Sequence, residues 1–536
     1  MLRATGLTHL IAISGFHVGL VAGFFALCAS LGWRLAPRLG RWLPRPQAAA
    51  LGALAGAAGY AAVAGFALPT VRTVLMIAVV VAARLWRRPV RVLEALALAA
   101  VAMLLVDPLA LLAPGFWLSF AGVAWLAWCL PDARGGGLLR GFLSAQAVAT
   151  LGLLPLTVVL FGQASLAGPL ANLLAIPWWS LVVVPLSLVG TGAEALHDGW
   201  GTWPWRLAAA CFDPSWHLFA RLASSGMALW WLPEARWHAL PFALAGAFWC
   251  LLPRGVPGKP LALLLWLPLL WPDRRLPAHG EAEMVVIDVG QGLSVLVRTR
   301  HHALLYDMGP AIPDGFDAGE RAVLPALHAL GVRALDVAVV SHQDSDHAGG
   351  LPAVRRRFTP GLAYAPALSG VARTRPCIAG HGWTRDGVWF TFLHPPPHFP
   401  PLRNEASCVL RVETRHGAML LTGDIGAVVE QGLARRQPHA VRAEVVVVAH
   451  HGSRHSSDTE FITATAARHA LVGAGHGNRF GHPDTGVLDR WSAAGARPWN
   501  TATGGALRVR MGRDGTRVEA RRTTHPRLWD AARERD

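Results

Sequence analysis

Long apolar runs fill the first half of the chain, whereas short apolar runs split by polar turns fill the second. In the first half, segments of spanning or near-spanning length lie at Leu10–Leu31, Ala48–Leu68, Val71–Leu85, Val92–Val106, Leu109–Leu130, Phe142–Phe161 and Leu166–Val189, and shorter ones follow up to Trp271. A spanning helix needs about 20 apolar residues, so the shorter segments must be tilted, re-entrant or enclosed by a bundle. Pro155, Pro169, Pro177 and Pro185 fall within or beside such runs and each removes a backbone donor, which suits a bundle interior or a wet cavity better than a lipid-facing helix.

From Met284 the pattern shortens. Met284–Val289, Leu293–Arg298 and Ala303–Asp307 read as strands around a Gly290-Gln291-Gly292 turn, followed by a helix at Glu320–Leu330 and a buried strand at Leu335–Val340. Val388–Leu393, Ser407–Thr414 and Ala418–Thr422 read as further strands, Gly426–Arg436 as a helix and Glu444–Ala449 as a buried strand. The second set repeats the plan of the first. Two sheets, each with helices on its outer side, predict an αββα sandwich behind a polytopic α-helical membrane domain. The expected divisions are 1–275 for the membrane domain, 276–515 for the sandwich and 516–536 for a basic tail.

Composition sharpens this picture only in places. Of 536 residues, 53% are hydrophobic and 15% charged, averages that hide the contrast between the halves and exclude a wholly soluble enzyme. The net charge of +16 suits contact with a polyanion, but part of it is topology signal: Arg34, Arg38, Arg41 and Arg45 crowd one loop and Arg84, Arg87, Arg88 and Arg91 another, which fits both being cytoplasmic. Counting helices onward to Arg254 and Lys259 puts the soluble domain on the outer side of the membrane. Of six cysteines, Cys28, Cys129, Cys211 and Cys250 lie in apolar runs, while Cys377 and Cys408 belong to the soluble part and pair only if the fold joins them. Met1-Leu2-Arg3 leads into an apolar run without a cleavage site, which reads as a first membrane helix.

Candidate chemistry concentrates at strand ends. His342-Gln343-Asp344-Ser345-Asp346-His347, directly after the Leu335–Val340 strand, packs four potential ligands into one turn, with the imidazole and carboxylate mixture that suits borderline-to-hard divalent cations. Asp424 follows the next buried strand in Thr422-Gly423-Asp424, and His450-His451-Gly452-Ser453 follows another. A bridging carboxylate and a terminal imidazole are the additions a pair of cations requires. In the membrane half, Ser14 and His17 interrupt the first helix, Arg72 follows Leu68-Pro69-Thr70, and Gln146, Gln163 and Asn172 punctuate later runs; burying such groups marks Ser14, His17 and Arg72 as candidates for lining a route through the bundle.

The soluble motifs resemble those of the metallo-β-lactamase superfamily, with Asp344 where many members carry a second His. The runs at 9–18, 68–72, 114–120 and 172–177 resemble the competence domain of ComEC-type DNA-uptake channels, and the order of the two halves is that family's order. The resemblance implies two divalent cations, manganese or zinc with magnesium as a further option: His342 and Asp344 on one, Asp346, His347 and His451 on the other, and Asp424 bridging. It implies hydrolysis of a phosphodiester by hydroxide, with Asp346 and His482 as catalytic residues, His482 aiding the leaving oxygen or contacting phosphate. The superfamily's separate His between the first cluster and the bridging Asp has no clear counterpart; His394, Asn404 and His450 are the available ligands or supporting residues.

The implied function is passage of single-stranded DNA across the bacterial inner membrane with an attached nuclease, in company with other competence-machinery proteins and as a possible homo-oligomer. Arg355-Arg356-Arg357 and Arg435-Arg436 are basic runs able to track phosphates. Two other readings are a membrane-tethered hydrolase of another phosphoester, and a DNA transporter whose soluble domain is not catalytic.

Overall fold

The computed structural model describes residues 2, 4–11, 15–87, 91–130, 137–225, 228–253, 255–527 and 530. The chain divides into two compact units, Met1–Asp273 and Arg274–Asp536.

The first unit is helical. Among the described residues, three helices, His17–Leu35, Leu139–Phe161 and Gly168–Leu196, are long and apolar enough to cross a membrane, and Val92–Val106, Pro114–Cys129, Ala239–Leu251 and Lys259–Leu270 form shorter apolar helices. Large apolar side chains such as Phe24, Leu27, Leu105 and Trp203 face outward, as expected where the surroundings are lipid. The helices Gly15–Leu35 and Arg45–Val63 meet closely because Gly52 and Gly56, four residues apart, present no side chain to Phe25 and Ala29; a Cβ at Gly56 would lie 2.7 Å from the Phe25 ring. The expected single segment Leu109–Leu130 is instead broken: Asp107 caps a 3₁₀ turn at Pro108–Leu112, and a new helix starts at Pro114. Pro155 and Pro177 lie inside helices, and the turn after Pro177 loosens into a π-helical stretch at Trp179–Val183 before the chain continues as Val184–Leu196. Pro214 falls inside a further helix, Thr202–Ser224, which the apolar pattern did not single out.

The second unit is a four-layer sandwich. One sheet runs in the order Gly515–Ala520, Leu507–Gly512, Ala282–Val286, Val295–Arg298, Ala303–Tyr306, Val337–Val339, Leu362–Ala365, Arg375–Pro376. The other runs Arg497–Asn500, His469–Val472, Val445–Val447, Gly417–Leu421, Val409–Thr414, Val388–His394, Gly382–Arg385. Each sheet is antiparallel toward one edge and parallel toward the other, so the repeat of plan expected from the sequence is present.

Alternation along the strands builds three apolar layers. Met284, Val286, Val295, Phe390, Leu410 and Val445 form the core between the sheets. Their neighbours Val285 and Leu296 point the other way, onto Leu327 and Val354 of the outer helices, while Val409 and Val446 face Phe461 and Trp491 on the opposite side. The segment expected as a tail from 516 onward is corrected at its start: Gly515–Ala520 pairs along Leu507–Gly512, and Val518 packs against the central core, because its alternating apolar positions continue the sheet.

Candidate metal centre

Four strands end at one place. Asp307 follows Ala303–Tyr306, the turn 341–347 follows Val337–Val339, Asp424 follows Gly417–Leu421, and His450 and His451 follow Val445–Val447. The backbone there is forced into the left-handed region at three non-glycine residues, Asp307 (φ 57°), His450 (φ 53°) and His451 (φ 55°). Such strain persists where surrounding structure imposes it, and it gathers at functional sites. Gly423 (φ 60°) is needed for another reason: a Cβ there would lie 2.7 Å from Ser407 and 3.0 Å from Ser341, the two residues that carry the site's inner hydroxyls.

Asp346, His347, Asp424 and His451 each offer a ligand atom, all within 4.8 Å of one another. His347 Nε2 is 3.2 Å from Asp424 Oδ1 and 3.8 Å from Asp346 Oδ2; His451 Nε2 is 3.3 Å from Asp346 Oδ2 and 3.6 Å from Asp424 Oδ2. Both imidazoles are held by their other nitrogen. His347 Nδ1–H donates to Asp307 Oδ2 at 2.7 Å, and His451 Nδ1–H donates to the Gly473 carbonyl at 2.8 Å, which turns each Nε2 toward the carboxylates. Asp307 also accepts the Ser341 backbone N–H at 2.7 Å, so one buried carboxylate fixes both the ring and the turn.

Beside this group, His342 Nε2 lies 3.8 Å from Asp344 Oδ2, while its Nδ1 faces Ser341 Oγ at 3.0 Å and Ser407 Oγ at 3.4 Å. His342 Nε2 is buried and makes no hydrogen bond. A buried nitrogen left unpaired beside a converging set of N and O donors is what a divalent cation would satisfy, so the residues present fit one.

The electrostatics agree with that fit. Burial alone would raise the Asp424 carboxyl, yet His347 and His451 hold it well below the carboxylate range. Burial would likewise push His347 down, but Asp424 and Asp307 hold it well above its ordinary value. Asp346 is lowered to about 2, burial opposing and the His451 and His347 rings prevailing. Protons and a metal ion would compete for the same atoms here.

The remaining expected residues are distributed as follows. His450 Nε2 lies 4.0 Å from Asp424 Oδ2 and faces Asn404 Nδ2 at 3.4 Å. The His482 ring is 6.0 Å from that of His450 and 6.4 Å from that of His451, and its Nδ1 is buried without a partner. His394 Nε2 donates to the Glu405 carbonyl at 2.7 Å, and burial, which outweighs that bond, lowers it to about 4; it is not one of the four grouped donors. Ser14 lies outside the described residues. His17 and Arg72 are buried within the helical unit.

Two contributors were missed from the sequence, Asp307 and Ser407, and the pairing left open there is made: Cys377 and Cys408 form a disulfide. Asp307 had a signal, a carboxylate at the end of a strand before Met308-Gly309, the same grammar that singled out Asp424. The disulfide joins the Arg375–Pro376 end of one sheet to the Val409–Thr414 strand of the other, both cysteines fully buried. The Cys408 N–H donates to the Ser341 carbonyl at 3.0 Å, which places the bridge directly behind the metal turn.

A sandwich with candidate metal ligands at its strand ends, carried on the same chain as a helical membrane unit, defines the class: a membrane protein with a domain of the metallo-β-lactamase hydrolase fold. Residues 1–257 match the family model described as competence protein, and residues 287–476 match the metallo-β-lactamase superfamily. The chain is 38% identical over 531 residues to competence protein ComA of Neisseria gonorrhoeae, covering 96% of this chain and 72% of that one. It is 31% identical to the uncharacterized protein YcaI of Escherichia coli, covering 97% and 69% of the two chains, and 29% identical to ComE operon protein 3 of Bacillus subtilis, covering 94% and 68%. The chain belongs to the ComA/ComEC family of competence proteins. Its metallo-β-lactamase fold implies divalent metal binding.

Proposed function

We propose that the protein is a multi-pass inner-membrane channel that passes single-stranded DNA into the cell, and that its soluble domain is a metal-dependent DNA phosphodiesterase. The observation that carries this reading is the ring of Asp346, His347, Asp424 and His451 in a domain continuous in sequence with a competence-type membrane unit.

Asp346, His347 and His451 would hold one cation, His342 and Asp344 a second, with Asp424 shared, manganese or zinc being the best matches for this mixed donor set and magnesium a harder-ion option. When bound, such cations supply positive charge to a phosphodiester and acidify a coordinated water. The chain's own residues do the rest. Asp307 and the Gly473 carbonyl orient the ligand imidazoles. His482, beside His450 and His451, stands where it can donate a proton to a leaving oxygen.

The Cys377–Cys408 disulfide supports an extracytoplasmic soluble domain, since such bridges form and persist in oxidising compartments. A strand left outside would then be the nuclease's substrate. A second reading, a transporter with a non-catalytic domain, is favoured by one observation: with His394 tied to Glu405, the His342–Asp344 pair lacks the family's separate third His.

Uptake of end-labelled duplex DNA by competent cells tests the whole reading. Full activity predicts one strand recovered inside and acid-soluble nucleotide outside. In D346A/H347A the nuclease reading predicts loss of the acid-soluble product; its persistence would contradict it.

A further inference from the structure

The loop 475–482, mostly beyond the stretch matched to the metallo-β-lactamase superfamily, holds an aromatic residue in solvent beside the metal ligands. Phe480 is 55% exposed, in a loop otherwise of Gly, Asn, Arg and His. The loop is tied down by hydrogen bonds. Asn478 Oδ1 accepts the N–H groups of Phe480 and His482, both at 3.1 Å, and Asn478 Nδ2 donates to the carbonyls of Gly475 and His482. The Gly475 N–H donates to Gln291 Oε1 at 3.2 Å, which ties the loop to the Gly290-Gln291-Gly292 turn.

The rings form a stair. Phe480 stacks on His482 at 5.7 Å and 23°, and His482 stacks on the ligand His451 at 6.4 Å and 22°. The Arg479 guanidinium lies 4.8 Å from the Phe480 ring centroid. An exposed ring on a preorganised loop, paired with a cation and graded toward a hydrolytic centre, matches what an unpaired nucleobase and its phosphate require.

We propose that Phe480 is a stacking platform for a nucleobase next to the scissile phosphodiester, and that Arg479 contacts the adjoining phosphate. This rests on the nuclease reading above and adds to it the strandedness of the substrate. A base inside a duplex already stacks on its neighbours, so the platform selects single strands. It is also indifferent to sequence, because every base has a π-face.

The test is competitive cleavage, by the full chain in detergent with manganese, of a labelled oligodeoxythymidylate and an abasic strand of equal length and charge. The wild type should prefer the base-bearing strand by about 10-fold in kcat/KM, the effect of one stacked base. F480A and F480L should bring that ratio close to one, and F480W should keep it. R479Q should slow both strands together and leave the ratio in place. An unaltered ratio in F480A and F480L would overturn the platform and leave the nuclease standing. Absence of metal-dependent cleavage in the wild type would overturn the nuclease reading and the platform with it.

Discussion

Asp307 shows how far a single side chain reaches in this site. It carries no ligand atom of the cluster, yet it holds His347 by Nδ1 and the metal turn by the Ser341 N–H. Removing such a supporting carboxylate costs about 10–100-fold in metal affinity in comparable centres. D307N should therefore weaken manganese or zinc binding by about that factor in a metal titration, while an unchanged affinity would show that His347 needs no orienting partner. The two ligand groups should also separate. H451A, within the converging set of four, should lower the tighter binding constant, whereas H342A should leave it intact and remove the weaker one. The candidate ligands stood out in the sequence because a compact His/Asp turn is rare outside a site. Asp307 was not, since one carboxylate after a strand reads as an ordinary turn until the fold sets it against His347.

Elements carry the site by ending together, and two of their supports are testable. Glu430, on the Ala427–Arg436 helix, is fully buried and accepts the N–H groups of Ser457 and Asp458, just beyond the His450-His451 turn. Burial outweighs those bonds and raises it to about 7. A carboxyl raised on folding binds more protons in the folded state than in the unfolded one between its ordinary value and about 7, so its contribution to stability declines as pH rises through that window. E430Q should flatten that decline in thermal unfolding curves between pH 5 and 7; an unaltered pH dependence would contradict the assignment. The disulfide is the second support. It closes 31 residues of separation and links the two sheets, so C377A/C408A should lower stability by about 2–4 kcal/mol in chemical unfolding of the soluble unit. Its pairing was illegible because neither cysteine lies near the other in sequence and only the packing of one sheet on the other brings them together. Strands such as Leu362–Ala365 and His469–Val472 were missed for a related reason: they are short and their apolar character is modest.

At the scale of the molecule, hydropathy divided the chain correctly into helical and sandwich parts, since lipid and water impose opposite patterns. It gave helix boundaries poorly where Pro108 and Pro114 break an apolar run that looks continuous in composition. Arg72 illustrates what a membrane unit does with polarity: it is buried, and its guanidinium lies against Gly115 at the start of Pro114–Cys129. R72Q should abolish DNA uptake while leaving hydrolysis by the soluble domain in place, because a channel needs its lining and a tether does not. Normal uptake in R72Q would favour the tethered-hydrolase reading.

The central claim is that the ring of Asp346, His347, Asp424 and His451 is a phosphodiesterase centre. It is tested most directly by incubating the purified full chain with labelled single-stranded DNA, with and without manganese, beside D346A/H347A. Cleavage that requires the metal and vanishes in the double variant is the predicted result. DNA retained but uncut by a folded, metal-loaded wild type would contradict the claim and leave a transport protein with a binding domain.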